Sequence, residues 1–297
     1  MHSLSSDLQQ IITQHLNIYD QPLRRAWSSR FPVLKLPIVK TRQTIRRLEY
    51  VLNKKIARTK QVDDFAYVYA RHQSILRRIL GNSDSRLQEQ KITNLQVAVA
   101  QLNGLVIQPQ EIFSLWNTIG APSQKRGFVN GMLLANGRVI EGMGGGLCQL
   151  SNLLYWLFLH APVTVLERYH HSMDVFPDSG RVLPFGSGAT ILYNFVDLRI
   201  QNTSPYPLQL KIWLTDNHLK GQLRSPVHIL EKFHLYERNH YFIQRQENYF
   251  RYNEIWRDMN IEGRTICTEK ITQNFAPVLY DCTPEYISQN NFSVVSF

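Results

Sequence analysis

Three consecutive glycines, Gly144-Gly145-Gly146, run through Leu147 into Cys148-Gln149-Leu150-Ser151-Asn152 and then an apolar stretch. That order predicts a helix with Cys148 in its first turn. A thiol in that position faces backbone N–H groups that lack helical partners, and their partial positive charge lowers a thiol pKa. The same N–H groups, around Gly146–Gln149, can hold a developing oxyanion or an anionic ligand. Glycine allows positive φ and close approach of another group. The pattern therefore suits a thiol nucleophile or an anion-binding turn. A nucleophile also needs a base and a group that orients the base. Tyr169-His170-His171-Ser172 follows about twenty residues on, just after the strand-like run Val163–Glu167. A helix, turn and strand could return an imidazole to the thiol. Asp197 and Asp174 are the candidates for orienting it.

Other chemistries fit these residues less well. The phosphate-binding pattern GxxxxGK[ST] is absent, and a dinucleotide GxGxxG beginning at Gly142 would need glycine at 147, where leucine stands. A zinc site from Cys148, His170 and His171 is disfavoured, because adjacent strand side chains point to opposite faces. No metal or other cofactor is expected. The plain structural alternative is a small buried thiol beside a tight turn. The three cysteines are odd in number and form no CxxC pair, which argues against a disulfide framework or a four-cysteine zinc site. Cys267 and Cys282 have no glycine or histidine run near them.

The elements that must position this segment are read from periodicity and breakers. Helices are predicted over 7–17, 41–58 and 63–80, the last ended by Gly81-Asn82, with Pro32 and Pro37 in an extended linker. Ser85 with Gln88 forms a capping-box pattern for a helix that stops at Asn103-Gly104. Strand-like runs follow at Leu105–Ile107, Gly127–Leu134 and Arg138–Ile140, with a hairpin signal at Asn136-Gly137. The apolar helix runs from Cys148 to about His160. Further strands are predicted at Val163–Arg168, Thr190–Asn194, Asp197–Gln201 and Pro207–Leu214, and aromatic–polar alternation in the last eighty residues suits an antiparallel meander. The expected fold is α+β: a basic helical region over 1–90, a mixed domain over 91–215 built on the apolar helix and mainly antiparallel strands, and a β-rich extension over 216–297.

The chain carries 297 residues and a net charge of +10, with 43% hydrophobic and 19% charged residues, a globular balance. Residues 1–90 hold sixteen Lys and Arg against seven Asp and Glu, so the basicity is concentrated there. That suits a polyanion or membrane surface as partner, or simply the solvated faces of amphipathic helices. No RNA-binding aromatic motif, zinc-finger spacing or leucine heptad run is present. The longest nearly apolar stretch, Leu153 to Leu166, is too short to span a bilayer, and the polar N-terminus does not read as a secretory signal. A cytoplasmic location with reduced thiols is expected.

Taken together, several blocks resemble the VanW family. They are Leu102-Asn103-Gly104-Leu105-Val106-Ile107, Glu111-Ile112-Phe113-Ser114, Ile119-Gly120, Gly144 to Ser151, Glu167-Arg168-Tyr169-His170-His171-Ser172 and Asp197 to Asn202. The resemblance covers about residues 90–215. Asn152 stands where the family usually has threonine, and His171 is the histidine that matches the Glu-Arg-x-x-His-Ser pattern. The resemblance implies an association with glycopeptide resistance and a cell-wall context, without a settled reaction. Many members carry an N-terminal membrane anchor, and none is recognisable in this sequence. Two functions are therefore expected as alternatives. One is cysteine-dependent acyl transfer or amide hydrolysis on a peptide or cell-wall precursor, with Cys148 as nucleophile, His171 as base and Asp197 orienting the ring. The other is a non-catalytic binding module for an anionic cell-wall-related ligand. There Gly144, Gly145, Gly146, Gln149, Ser151 and Arg168 would surround the ligand, with Arg181 nearby.

Overall fold

A computed structural model describes residues 4–21, 32–77, 85–135, 138–175, 177–178 and 182–297. The chain opens with α1 (Ser6–Asp20), α2 (Pro32–Leu52), β1 (Tyr67–Ile75) and α3 (Ser85–Leu102). The short elements β2 (Leu105–Ile107), β3 (Ile112–Ser114) and α4 (Leu115–Ile119) follow, then the hairpin β4 (Asn130–Ala135) and β5 (Arg138–Met143). Helix α5 (Cys148–Leu159) leads to β6 (Val163–Glu167), β7 (Arg199–Asn202), β8 (Leu208–Leu214) and β9 (His218–Ser225). The C-terminal part is a meander of long strands, β10 (Lys232–Arg245), β11 (Asn248–Ile261) and β12 (Arg264–Pro277), closed by α6 (Pro284–Gln289) and β13 (Val294–Ser296).

The fold is α+β with mainly antiparallel sheets. The central sheet has the order β1-β9-β8-β2, and smaller sheets run β3-β7-β6 and β4-β5. The meander sheet runs β12-β11-β10-β13, in which only the β10–β13 pair is parallel. Helix α5 packs on β1 and β9 and buries Leu150, Leu153, Leu154, Tyr155, Leu157, Phe158 and Leu159. It lies close because β9 offers Gly221 beneath it: a Cβ there would stand 2.8 Å from the Leu153 side chain. A second apolar cluster joins Leu8, Ile12 and Leu16 of α1 to Ile243, Phe250 and Tyr252 of the meander. Ser5 caps α1 by accepting from the Leu8 amide at 3.3 Å.

Three expectations change. Residues 67–75 form a strand, not part of a helix over 63–80. Their aromatic and β-branched residues pair antiparallel with β9, from Tyr67 opposite Ser225 to Ile75 opposite His218, with a bulge between Val68 and Ala70. Pro37 lies inside α2 and not in a linker, at an exposed position where a carbonyl that lost its helical donor can face water. Thr190 and Leu192 make only isolated bridges, to Tyr169 and Val196, in place of a strand over 190–194. The turn signals Gly81-Asn82 and Asn136-Gly137 fall outside the described residues. Strand pairing also runs across both expected boundaries, since β1 from the basic region pairs with β9, which lies beyond residue 216.

Candidate functional site

The glycine triplet is required by what packs against it. Gly144 and Gly146 hold φ of +73° and +92°, the left-handed region that glycine enters freely. Gly145 meets β4 backbone to backbone: a Cβ there would stand 2.1 Å from the Gly131 carbonyl carbon. A Cβ on Gly146 would stand 2.1 Å from Cγ of Lys91. Asn94, fully buried on α3, fixes the turn. Its amide nitrogen donates to Val129 O at 3.0 Å and to Gly145 O at 2.9 Å, and its oxygen accepts from the Val129 amide at 2.9 Å.

Cys148 is the first residue of α5 and is half-buried. Burial pushes its thiol above the ordinary value, outweighing hydrogen bonds from the backbone amides of Ile191 and of Cys148 itself. That direction is opposite to the lowering expected from a helix N-terminus, because desolvation of the thiolate is the larger effect. The amides of Gln149, Leu150 and Ser151 already donate to Gly146 O, Leu147 O and Leu147 O at 3.0–3.1 Å. No side chain caps the helix at Leu147, and its first turn contains no acid.

The polar neighbours are committed to partners within the fold, mostly backbone carbonyls. Gln149 Nε2 donates to Ser74 Oγ at 2.9 Å and Ile75 O at 2.7 Å, tying α5 to the end of β1. Ser151 Oγ lies 2.6 Å from Ala189 O and 3.0 Å from Cys148 O, and Asn152 Oδ1 accepts from the Ala189 amide at 2.7 Å. Arg168 stacks over the Tyr155 ring at 4.9 Å. Its Nε donates to Gly188 O at 2.9 Å, Nη2 to Gly186 O, and Nη1 to Thr272 Oγ1 at 3.2 Å. Together these side chains hold the segment 186–191 against the start of α5. Arg181 lies outside the described residues.

His171 Nδ1 is 3.0 Å from Thr190 Oγ1. Thiol and imidazole thus reach adjacent residues, Ile191 and Thr190: Cys148 takes a hydrogen bond from the Ile191 backbone and His171 lies against the Thr190 hydroxyl. His170 is exposed. Asp197 is not brought to this place. Its buried carboxylate accepts from Tyr50 Oη at 2.7 Å, Ser114 Oγ at 2.6 Å, the Trp116 amide at 3.1 Å and the Leu198 amide at 2.8 Å. Burial pushes this carboxyl up, against the pull of those donors. Asp174 meets Arg251 Nη1 at 3.1 Å and the Tyr280 hydroxyl at 3.0 Å, and Asp178 meets Arg251 Nη1 at 3.0 Å. Arg251 is itself buried, so the loop that carries His171 is anchored to the meander. Arg257 closes the other end of α5, donating to Leu159 O at 3.1 Å and Ala161 O at 3.2 Å.

Asn94, Arg251 and Arg257 were not singled out from the sequence. Asn94 carried a signal, a polar residue on the apolar side of α3 next to Leu95 and Ala98. The arginines carried none, since each sits in a strand that alternates polar and aromatic residues. Among the described residues, no cluster of three His, Cys, Asp or Glu side chains is placed to hold a metal ion, and no helix is long and apolar enough to cross a membrane.

Residues 90–224 match the family model described as VanW like protein. The chain is 37% identical over 140 residues to the vancomycin B-type resistance protein VanW of Enterococcus faecalis, covering 47% of this chain and 51% of that protein. It is 27% identical over 118 residues to the uncharacterized protein YoaR of Bacillus subtilis, covering 40% of this chain and 37% of that one. The chain thus spans about half the length of the first relative and less of the second. No solved structure matches it.

Proposed function

Residues 90–224 of this chain belong to the VanW family, and from that premise we propose a binding role, not a covalent one. The chain is a module for an anionic, cell-wall-related ligand in the glycopeptide-resistance setting for which its Enterococcus faecalis relative is named. The observation that carries this reading is geometric: Asp197 is hydrogen-bonded to Tyr50, Ser114 and two backbone amides, not to an imidazole, and burial pushes the Cys148 thiol above its ordinary value. A neutral thiol is a poor nucleophile. The place of Asp197 weakens a relay through His171. The start of α5, which no side chain caps, supports an anion near the amides of Gly146 and Leu147.

The pH dependence of Cys148 alkylation tests this, with exposed Cys267 as internal control. The expected thiolate forms above the free-cysteine value of about 8.5, and His171→Ala leaves it there. A thiolate that forms well below that value, and reverts in His171→Ala, overturns the reading. The ligand is tested by labelling the three cysteines with 15N and adding inorganic phosphate or acetate. The Cys148 amide resonance is expected to move saturably while the other two stay; three unmoved resonances refute anion binding.

One observation favours the covalent alternative. Cys148 and His171 attach to adjacent residues, Ile191 and Thr190, so a substrate bound at this segment would meet both the thiol and the imidazole. The alkylation experiment separates the two readings. Three cysteines without a disulfide support a reducing compartment, and we place the module in the cytoplasm. Thiol labelling of intact cells, without permeabilisation, would refute that placement.

A further inference from the structure

Helix α2 is docked with its polar side inward. Gln43 Nε2 donates to Tyr193 O at 3.3 Å, and Gln43 O accepts from Asn194 Nδ2 at 3.1 Å. Arg46 pairs with Glu167, and its Nε donates to Tyr50 Oη at 3.0 Å. Tyr50 Oη in turn donates to buried Asp197. At about 100° per residue, Gln43, Arg46 and Tyr50 share an arc of about 60°. Ile38, Ile45, Leu48 and Leu52 share an arc of about 80° on the opposite side. Those four are 44% to 75% exposed, and exposed Val51 lies beside them. An ordinary surface helix does the reverse and turns its apolar stripe to the core.

The exposed charges on and just after the helix are mostly basic. Lys40, Arg42 and Arg47 on the helix, and Lys54 and Lys55 just after it, are exposed. The exposed acid on α2, Glu49, already pairs with Arg46 at 3.4 Å and Arg199 at 3.0 Å. We propose that α2 is an interfacial helix that lays this stripe on an anionic lipid surface. The stripe from Ile38 to Leu52 is about 21 Å long at 1.5 Å per residue, enough to lie in the headgroup boundary. Charge selects the occupant. A second copy of α2 on this face would set like charges against like, whereas acidic headgroups neutralise them and attract each Lys or Arg near the surface. The inference does not depend on the ligand reading of the glycine turn.

The test is co-sedimentation of the full chain with vesicles of phosphatidylglycerol or of phosphatidylcholine. Binding is expected to the acidic vesicles and to fall at least about tenfold on the neutral ones. Ile45→Ser with Leu48→Ser is expected to weaken acidic-vesicle binding at least about tenfold with an unchanged melting midpoint, because both side chains are exposed. Arg47→Glu with Lys54→Glu is expected to weaken it as well. Equal binding to both vesicles, unchanged affinity in the serine variant, or a dimer that the serine variant dissolves would each overturn the proposal.

Discussion

Replacing Gly145 by alanine tests whether the glycine triplet exists for close packing. The added methyl would stand 2.1 Å from the Gly131 carbonyl carbon, 2.2 Å from its oxygen and 2.6 Å from the Met132 amide nitrogen. Ordinary contact begins near ~3.5 Å, so turn or strand must move by about 1 Å or more. All three obstacles are backbone, and no side chain can swing away. Asn94 resists the movement through its bonds to Val129 and Gly145, and the Gly144 amide donates to Val129 O at 3.0 Å. Overpacking costs about 1–3 kcal/mol, and leaving one of these buried groups unpaired costs about 1–3 kcal/mol more. A loss of about 3 kcal/mol follows, or roughly 6–12 °C in melting midpoint at about 2–4 °C per kcal/mol. Gly263→Ala is the control. Gly263 has φ of +79° and nothing within 4 Å of a Cβ, so only the backbone conformation is strained, at about 1–2 kcal/mol. Thermal unfolding of both variants by circular dichroism reads the difference. If Gly145→Ala melts at or above Gly263→Ala, the packing argument is wrong.

Three further outcomes are expected. Asp197→Ala leaves Tyr50, Ser114 and two amides without their acceptor, so it should destabilise by about 3 kcal/mol or more while the pH profile of Cys148 alkylation stays put; a moved profile would restore the relay. Arg251→Met strands the buried charge of Asp174 and the half-buried charge of Asp178, and a loss near 3–5 kcal/mol is expected in denaturant melts; a neutral effect would show that this network adds nothing to stability. Burial, helped by His160, holds the His72 imidazole down at about 4, below the ordinary ~6.5. The unfolded chain therefore takes up this proton first as pH falls. Its contribution is complete above about pH 6.5 and is lost progressively as pH falls towards about 4. His72→Gln should flatten that part of the stability curve, and an unchanged slope would refute it.

Helices α1, α3 and α5 were legible because their signals are local: apolar residues three and four apart, Ser85 at a helix start, Pro162 after an end. Strand β1 was not, since Val68, Ile75 and the residues between fit helical spacing too, and the partner that decides the matter, β9, lies about 150 residues downstream. The glycine–cysteine turn was legible as a place of tight packing at a helix start. The commitments of its neighbours were hidden. Gln149, Ser151 and Arg168 bond to carbonyls of residues 75, 189, 188 and 186, and a carbonyl leaves no mark in the amino-acid sequence. Asp197 misled for a related reason: its donors include two backbone amides and a tyrosine from α2. The sign of the Cys148 shift depended on burial, which periodicity does not give.

The family-matched stretch, residues 90–224, rests on props that lie outside it. Lys91 donates to Leu76 O, Gln149 to Ser74 and Ile75, and Glu167 and Asp197 engage Arg46 and Tyr50, all upstream. Downstream, Arg257 holds the last carbonyls of α5, and Thr272 meets Arg168. Most of the upstream acceptors are carbonyls, so many sequences could stand in for β1 provided they run along the free side of β9. Along β1 the flank therefore acts chiefly through the path of its backbone, as scaffolding does, whereas Arg46 and Tyr50 act through their side chains. A transplanted copy of residues 90–224 would need a borrowed strand and a borrowed guanidinium before it could fold.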